Sequence, residues 1–251
     1  MPFFLRSDPA ITLVLSLILL GLIYPTNAVA KSVIVCAVEN HPGHWVARQV
    51  LKKVYRHADL DVEFALYPNR RSLIIANKGG CDAESARILK VTKTFTNLRA
   101  VPSSILVMEG RSFVKKGSNI SVRSWDELEG FSIAIVNGET YAMQATEGRH
   151  RDIASSYKNL FDMLIYRNID VVIGTRVSSI REFAVNNRAS AATEMLPTPL
   201  FHSILYHLVH KDKPELAKRI NAAIIDLRKQ GLMDQYVAEA LADLTTTRTL
   251  E

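Results

Sequence analysis

From residue 32 onward, short apolar runs of strand length alternate with segments whose apolar residues recur at helical spacing, and this alternation restricts the chain to α/β architectures. Residues 32–38 (SVIVCAV) form a continuous apolar run of strand length. Trp45, Val46, Val50, Leu51, Val54 and Tyr55 then recur as on one face of a helix. Val62, Phe64 and Leu66 alternate as in a strand, which Pro68 breaks. Residues 70–78 read as a helix stopped by Gly79 and Gly80, and 81–84 as a short strand running out to a loop. A βαβαβ order of this kind demands a mostly parallel sheet with helices on both faces.

The pattern then changes. Residues 98–114 read as extended, with Pro102 inside them and Lys115, Lys116 and Gly117 ending them. Ser124 and Glu127 have the spacing of a capping box, which predicts a short helix from Trp125. Strand 131–136, a turn at Asn137 and Gly138, helix 139–147, a helix over Leu160, Met163 and Leu164, and strand 170–173 complete a second βαβ unit between about 115 and 195. Residues 200–209 return to extended form. Two helices follow, one carrying Leu216, Ile220, Ala223, Ile224 and Leu227, the other covering about 233–244. The expected fold is α/β with two lobes, the second inserted into the first. Lobe 1 would comprise 31–112 and 197–251, and lobe 2 would comprise 113–196. Two crossovers, near Gly110 and Pro197, would act as hinges.

The first thirty residues carry an address. Arg6 precedes an apolar run over 11–24, interrupted by Ser16 and Gly21; Pro25 ends it, and Ala28, Val29 and Ala30 supply a small-x-small cleavage pattern. About fourteen apolar residues are short for a bilayer, which takes roughly twenty in helix. Residues 1–30 therefore read as a signal peptide and the mature chain as periplasmic, the alternative being an N-terminal membrane anchor. Net charge is +6, and Arg6 and Asp8 cancel within the signal segment. Lys and Arg are scattered among carboxylates in runs no longer than a pair, without the aromatic patterns of nucleic-acid modules, so no nucleic-acid partner is expected. No membrane contact after cleavage is expected either, and the mature protein is read as a monomer. Cys36 and Cys81 are the two cysteines. The periplasm permits a disulfide between them, while two buried free thiols would serve equally in apolar strands.

Four segments carry a family resemblance. Residues 68–87 (PNRRSLIIANKGGCDAESAR) are similar to a P-x-x-R … G-x-x-D-x-x-x-x-R stretch, and 125–140 (WDELEGFSIAIVNGET) to a strand that opens a second lobe. Residues 160–173 (LFDMLIYRNIDVVI) and 207–231 (HLVHKDKPELAKRINAAIIDLRKQG) resemble two later family units in the same order. Together they resemble the family-3 bacterial solute-binding proteins, receptors associated with polar amino-acid ABC transporters, and within them an orphan branch often found without transporter genes nearby. The resemblance implies a periplasmic-binding-protein fold that closes by hinge motion on a small polar, carboxylate-bearing ligand. It implies an ABC permease or a sensor ectodomain as the partner of the closed state, and no cofactor.

Ligands in such folds sit at loops after the C-terminal ends of strands. Glu84, Ser85 and Arg87 follow the strand at 81–82, and Arg87 is the leading candidate because a guanidinium fork matches a carboxylate. Its place resembles the carboxylate-binding Arg of amino-acid receptors, at a shorter spacing from Asp82. Gly138, Glu139 and Thr140 follow a second-lobe strand and open a helix whose N–H groups can receive an anion, or else form an ordinary turn. Thr175, beside Arg176, stands where the resemblance implies an Asp that binds the ammonium of an α-amino acid. A hydroxyl cannot replace a carboxylate at equal strength there, so a standard α-amino acid is in doubt unless Glu84 or Glu139 substitutes. Arg71, in preference to Arg70, and Arg111 complete the candidate set. His41 also follows the first strand, and Tyr67 and Tyr141 could stack on a ligand or belong to the core.

Nothing in the chain demands catalysis. The seven histidines lack metal-ligand spacing, no metal is expected, and neither a nucleophile elbow nor a phosphate loop occurs. A dehydratase-like enzyme with Glu84 as general acid is one alternative. A sensory protein that binds a partner rather than feeding a transporter is another.

Overall fold

The computed structural model describes residues 32–247 and 249–250; the signal segment read at 1–30 lies outside them. Strand β1 (Val33–Val38) starts the chain and pairs in parallel with β2 (Val62–Tyr67), from Val33 opposite Val62 to Val38 opposite Tyr67. Helix α1 (Pro42–His57) connects them. Its first turn is fixed by Pro42 and by the His41 imidazole, which accepts the His44 N–H at 3.4 Å. Helix α2 (Asn69–Asn77) leads to β3 (Ala83–Arg87), which pairs in parallel with the other edge of β1.

Two long strands then carry the chain between two sheet halves. After the short β4 (Leu98–Ala100), β5 (Leu106–Lys115) runs antiparallel to β9 (Thr193–His210). The second half holds β6 (Ile133–Val136), α3 (Thr140–Ala145), β7 (Arg151–Ala154), α4 (Tyr157–Tyr166), β8 (Val171–Thr175), α5 (Arg176–Val185) and α6 (Asn187–Ala192). Helices α7 (Pro214–Lys229) and α8 (Leu232–Thr246) return to the first half. The described strands join in the order β2-β1-β3-β9-β5-β8-β6-β7, with β4 on β9. The C-terminal end of β9 pairs with β3 and β4, whereas Gly110 to Phe113 of β5 pair with β8. Between these regions, residues 106–110 and 201–205 form a two-stranded ribbon.

Each half buries both sheet faces. In the first, Trp45, Val50, Leu51 and Tyr55 of α1 meet Ile220, Ile224 and Leu227 of α7 and Leu244 of α8. Its other face packs Leu73 and Ala76 of α2 against Cys36, Leu98 and Leu208. Cys36 and Cys81 meet in that layer as a disulfide, with Cα atoms 5.7 Å apart, so neither is a free thiol. In the second half, Phe113, Leu160, Phe161 and Val172 fill one face, and Leu128, Ile133, Ile135 and Ile173 the other.

Several sequence expectations shift. The capping box does not form: Glu127 accepts the Arg123 N–H at 2.8 Å, Trp125 precedes only a single 3-10 turn, and that turn spans Asp126–Leu128. The short strand expected at 81–84 is β3, so Glu84, Ser85 and Arg87 lie within the strand rather than after it. The crossover near Pro197 is itself strand, because β9 begins at Thr193. Pro197 and Pro199 fit where the ladder is irregular; one step along β5, from Gly110 to Arg111, is matched by two along β9, from Phe201 to Pro199. Strand β7 and helices α5 and α6 were not expected. Among the described residues no helix is long and apolar enough to cross a membrane.

Candidate functional site

Two adjoining cavities occupy the cleft between the sheet halves. The smaller, about 370 Å3, is walled by Leu73, Ala86, Ile88, Leu106, Met108, Val177 and Leu205, with His41, His44, Asn69, Arg70, Arg87 and Thr175 as its polar groups. The larger, about 730 Å3, is lined by Lys90, Trp125, Gly138, Glu139, Thr140, Tyr141, Gln144 and Phe201 among others. His41, Asn69, Ile88 and Met108 line both, so the two spaces share a wall.

The first-half wall is built on β3. All five residues of β3 are buried, Glu84 at 0% and Arg87 at 8% exposure, and the ladder with β9 is irregular between these two positions. The Arg87 Nε–H donates to Glu84 Oε1 at 2.9 Å, one Nη donates to the Asn69 side-chain oxygen, and the other donates to the Asn69 carbonyl at 3.0 Å. The Ser72 hydroxyl donates to the remaining Glu84 oxygen. Burial pushes the Glu84 carboxyl up, while Arg87 and Ser72 pull it back. A guanidinium carries five N–H donors, so two of Arg87's remain for a ligand at the cavity wall.

Along and behind this wall runs a line of uncharged histidines. The Ser85 hydroxyl bonds His44 Nδ1 at 3.1 Å, and the Ser85 carbonyl accepts from His207 Nδ1 at 3.0 Å. His207 Nε2 then accepts from the Tyr55 hydroxyl at 2.8 Å. Burial holds His207 at about 4. Burial, followed by the charge of Arg87, holds His41 at about 4 and His44 well below its ordinary range. The Ser85 side chain is thus committed to the scaffold, and Glu84 is spoken for by two partners.

The second-half wall is organised by Tyr157. Its hydroxyl donates to Glu139 Oε1 at 2.6 Å and accepts the Thr175 N–H at 2.8 Å, with the Thr175 hydroxyl 3.0 Å away. Thr175 also caps α5 by accepting the Ser178 N–H. Burial pushes the Glu139 carboxyl up, opposed only by the Tyr157 hydrogen bond. Gly138 precedes it at φ +86°, a left-handed conformation that glycine adopts without strain. Helix α3 has six residues and its N-cap, Glu139, makes no side-chain cap, so the expected anion site at a helix start reduces to a turn. Tyr141 stacks on Phe201 with ring centres 4.8 Å apart, and a Cβ on Gly110 would come within 2.5 Å of the Tyr141 ring.

Five predicted residues stand outside both linings: Glu84 and Ser85, fully buried in β3, and Arg71, Arg111 and Arg176. Arg71 is exposed on α2 and outside both linings, whereas its neighbour Arg70 lines the smaller; α2 turns the first of the pair toward the cleft. Arg111 pairs with Glu109 at 2.8 Å and donates to the carbonyls of Leu196 and Pro197, bracing the two long strands. Arg176 reaches the same Glu109 at 4.0 Å. Sequence reasoning missed Asn69, although it lies inside the P-N-R-R motif, and it missed the apolar walls, whose members come from distant segments.

No family model and no curated protein matches the chain. Its similarities are to solved structures. The GluR0 ligand-binding core in complex with L-glutamate has a TM-score of 0.67 at 12% identity, covering 84% of this chain and 99% of that one. An ancestral cationic amino acid solute binding protein has a TM-score of 0.65 at 15% identity, covering 84% and 95%. A histidine kinase sensor domain with similarity to periplasmic binding proteins has a TM-score of 0.64 at 14% identity, covering 84% and 96%. At these identities the likeness establishes the fold: the chain has the two-lobed periplasmic-binding-protein architecture.

Proposed function

We propose that the protein is a periplasmic solute receptor that captures a small carboxylate-bearing ligand between its lobes and reports capture by closing. The observation that carries the reading is the pair of adjoining cavities, whose walls come from both sheet halves, the halves being joined by a two-stranded ribbon and by the packing of α5 against α1 and α8. Lobe 1 comprises residues 31–112 and 197–251, and lobe 2 residues 113–196. The irregular ladder at Gly110, Arg111 and Pro199 gives the ribbon a place to bend, and the Arg111 bonds to Pro197 and Glu109 brace it.

In this mechanism the ligand carboxylate first meets the two uncommitted N–H groups of Arg87, held in place by Glu84 and Asn69. The loop of Gly138, Glu139 and Thr140 then swings onto the ligand from the other lobe. Ligand that contacts both walls favours the closed state by the affinity difference it has for the two. Residues 1–30 direct the chain to the periplasm and are removed there. The closed form docks on an ABC permease or on a sensor ectodomain, and likeness to both a solute binding protein and a kinase sensor domain supports either use. The proposed role is that of a binder rather than an enzyme, and it is supported by Glu84, the natural general acid, being fully buried and held by Ser72 and Arg87.

The test is a thermal-shift screen of the mature protein against amino acids, simple carboxylates, amines and oligopeptides. A ligand bound only by the folded state stabilises by about 2.7 kcal/mol at a hundredfold excess over its dissociation constant. A shift with one chemical class that Arg87→Ala abolishes, without loss of the fold, is the expected result. A shift that survives Arg87→Ala would remove Arg87 from the site.

A further inference from the structure

The smaller cavity of the cleft is one-sided in its polar chemistry. Arg70 and Arg87 are its cations, and among the described residues no carboxylate lines it. Glu139 lines the larger cavity instead, with the Tyr157 hydroxyl between it and Thr175. The side-chain acceptors on the smaller cavity's polar wall are already engaged. Asn69 Oδ1 accepts from Arg87, which leaves the amide N–H groups as its free end. His41 Nδ1 accepts the His44 N–H, so the neutral ring carries its proton on Nε2. Thr175 gives its hydroxyl proton to the Tyr157 oxygen, whose own proton goes to Glu139, and it accepts the Ser178 N–H. What remains for a solute is a set of donors: two Arg87 N–H groups, the Asn69 amide and the His41 Nε2–H.

The rest of this cavity is apolar. Leu73 from α2, Leu106 and Met108 from β5, Val177 from α5 and Leu205 from β9 converge on it, so both sheet halves and the ribbon between them supply apolar surface. We propose, resting on the solute-receptor role above, that the solute is a monocarboxylic acid with an aliphatic or aromatic body and no amino group. Its carboxylate lies on the donors around Arg87 and its body against the five apolar side chains. An ammonium here would lose its water, meet no charged acceptor and stand near two guanidinium groups. Each of these costs free energy, so the cavity selects against the amine rather than ignoring it.

Calorimetric titration of the mature protein with matched compounds tests this. The sets are straight-chain, branched and aryl carboxylic acids, the α-amino acids with the same bodies, the corresponding amines, and dicarboxylates of equal length. An acid should bind about tenfold or more tightly than its α-amino acid, the size expected for one charged group buried unpaired. Among the straight-chain acids, affinity should rise about fourfold per added methylene until the cavity is full. Met108→Gln, close in shape and at a half-buried position, should weaken the best-bound acid several-fold and leave the shortest acids unchanged, which also shows the fold intact. An amino acid bound as tightly as its des-amino acid overturns the assignment and leaves the receptor role standing. A dicarboxylate bound more tightly than the monoacid, or affinity independent of body length, does the same. Silence from every class overturns the receptor role and the assignment together.

Discussion

The two walls of the cleft stand in different states of preparation. On the first, the buried charges are paired with each other: Arg87 is held by Glu84 and Asn69, Glu84 by Arg87 and Ser72, and a disulfide pins the layer behind them. On the second, among the described residues, the Glu139 side chain has one hydrogen bond and the Tyr141 hydroxyl none. A wall whose groups are paired internally is preorganised and loses little order when a ligand arrives. A wall with unpaired groups gains most from contact, and that gain is what can draw it across the gap. Under the proposed receptor role, the difference between the halves would be a division of labour between platform and jaw.

The sharpest way to break this comparison is to remove one partner on the platform. Glu84→Ala strands the buried Arg87 guanidinium and should cost about 3–5 kcal/mol in urea unfolding, with ligand binding lost as well. Glu139→Gln on the jaw should leave the unliganded protein as stable as before near neutral pH, because it removes an uncompensated buried charge. Equal losses from the two would erase the distinction. Next, replacing Cys36 and Cys81 by alanine opens a loop spanning 45 residues. The expected loss is about 3–4 kcal/mol, read as a lower denaturation midpoint of the variant against the oxidised wild type.

The buried histidines and Glu139 should respond to pH with opposite sign. His207 is neutral in the fold at about 4 but ordinary, near 6.5, once unfolded, so unfolding takes up a proton below neutrality. Stability should fall as pH drops from about 6.5 to about 4, by roughly 3 kcal/mol from this residue, with His41 and His44 acting in the same direction. His207→Gln should flatten that slope in a pH series of urea titrations. Glu139 has the reverse sign: its folded carboxyl is raised, so its contribution is best below the ordinary carboxylate range and is lost as pH rises through the raised value. The smallest expected loss of stability is for Tyr157→Phe, about 1–2 kcal/mol for an acceptor lost to the Thr175 N–H and a donor lost to Glu139. A larger effect of Tyr157→Phe on ligand affinity than on stability would sharpen the view of the jaw as a poised surface.

Legibility of the fold followed how strongly each element advertises its period. The strands that became β1 and β6 are apolar throughout, and α1 and α7 carry clear stripes, so the βαβ order in both halves could be read directly. Strand β7 (RDIA) buries fully only Ala154 on the outer edge of its sheet, and α5 buries two serines, Ser178 and Ser179, in place of an apolar stripe. Neither shows the pattern from which elements are inferred. Pro197 and Pro199 disguised the first third of β9, because a proline speaks against a strand unless the ladder is known to be irregular there. At the site, Arg87 and Glu139 were legible from their places beside strand ends. Their states were not: that one is shackled and the other unpaired depends on Asn69, Ser72 and Tyr157, which no local spacing brings to them.

The strand order has a consequence in time. β9 lies between β3 and β5 at the centre of the sheet, yet it begins at residue 193 of 251. A chain made from its N-terminus can complete β1, α1, β2 and α2 early, and the Cys36–Cys81 bond can close that piece into a ring. The ring still shows a bare β3 edge to its surroundings until β9 arrives, an adhesive surface for any other extended chain. With two cysteines in the whole sequence, oxidation within one chain has a single outcome. Early closure cannot then trap a wrong pairing, and the long-range pairing of β9 with β3 and β5 is left to join the two halves of the sheet.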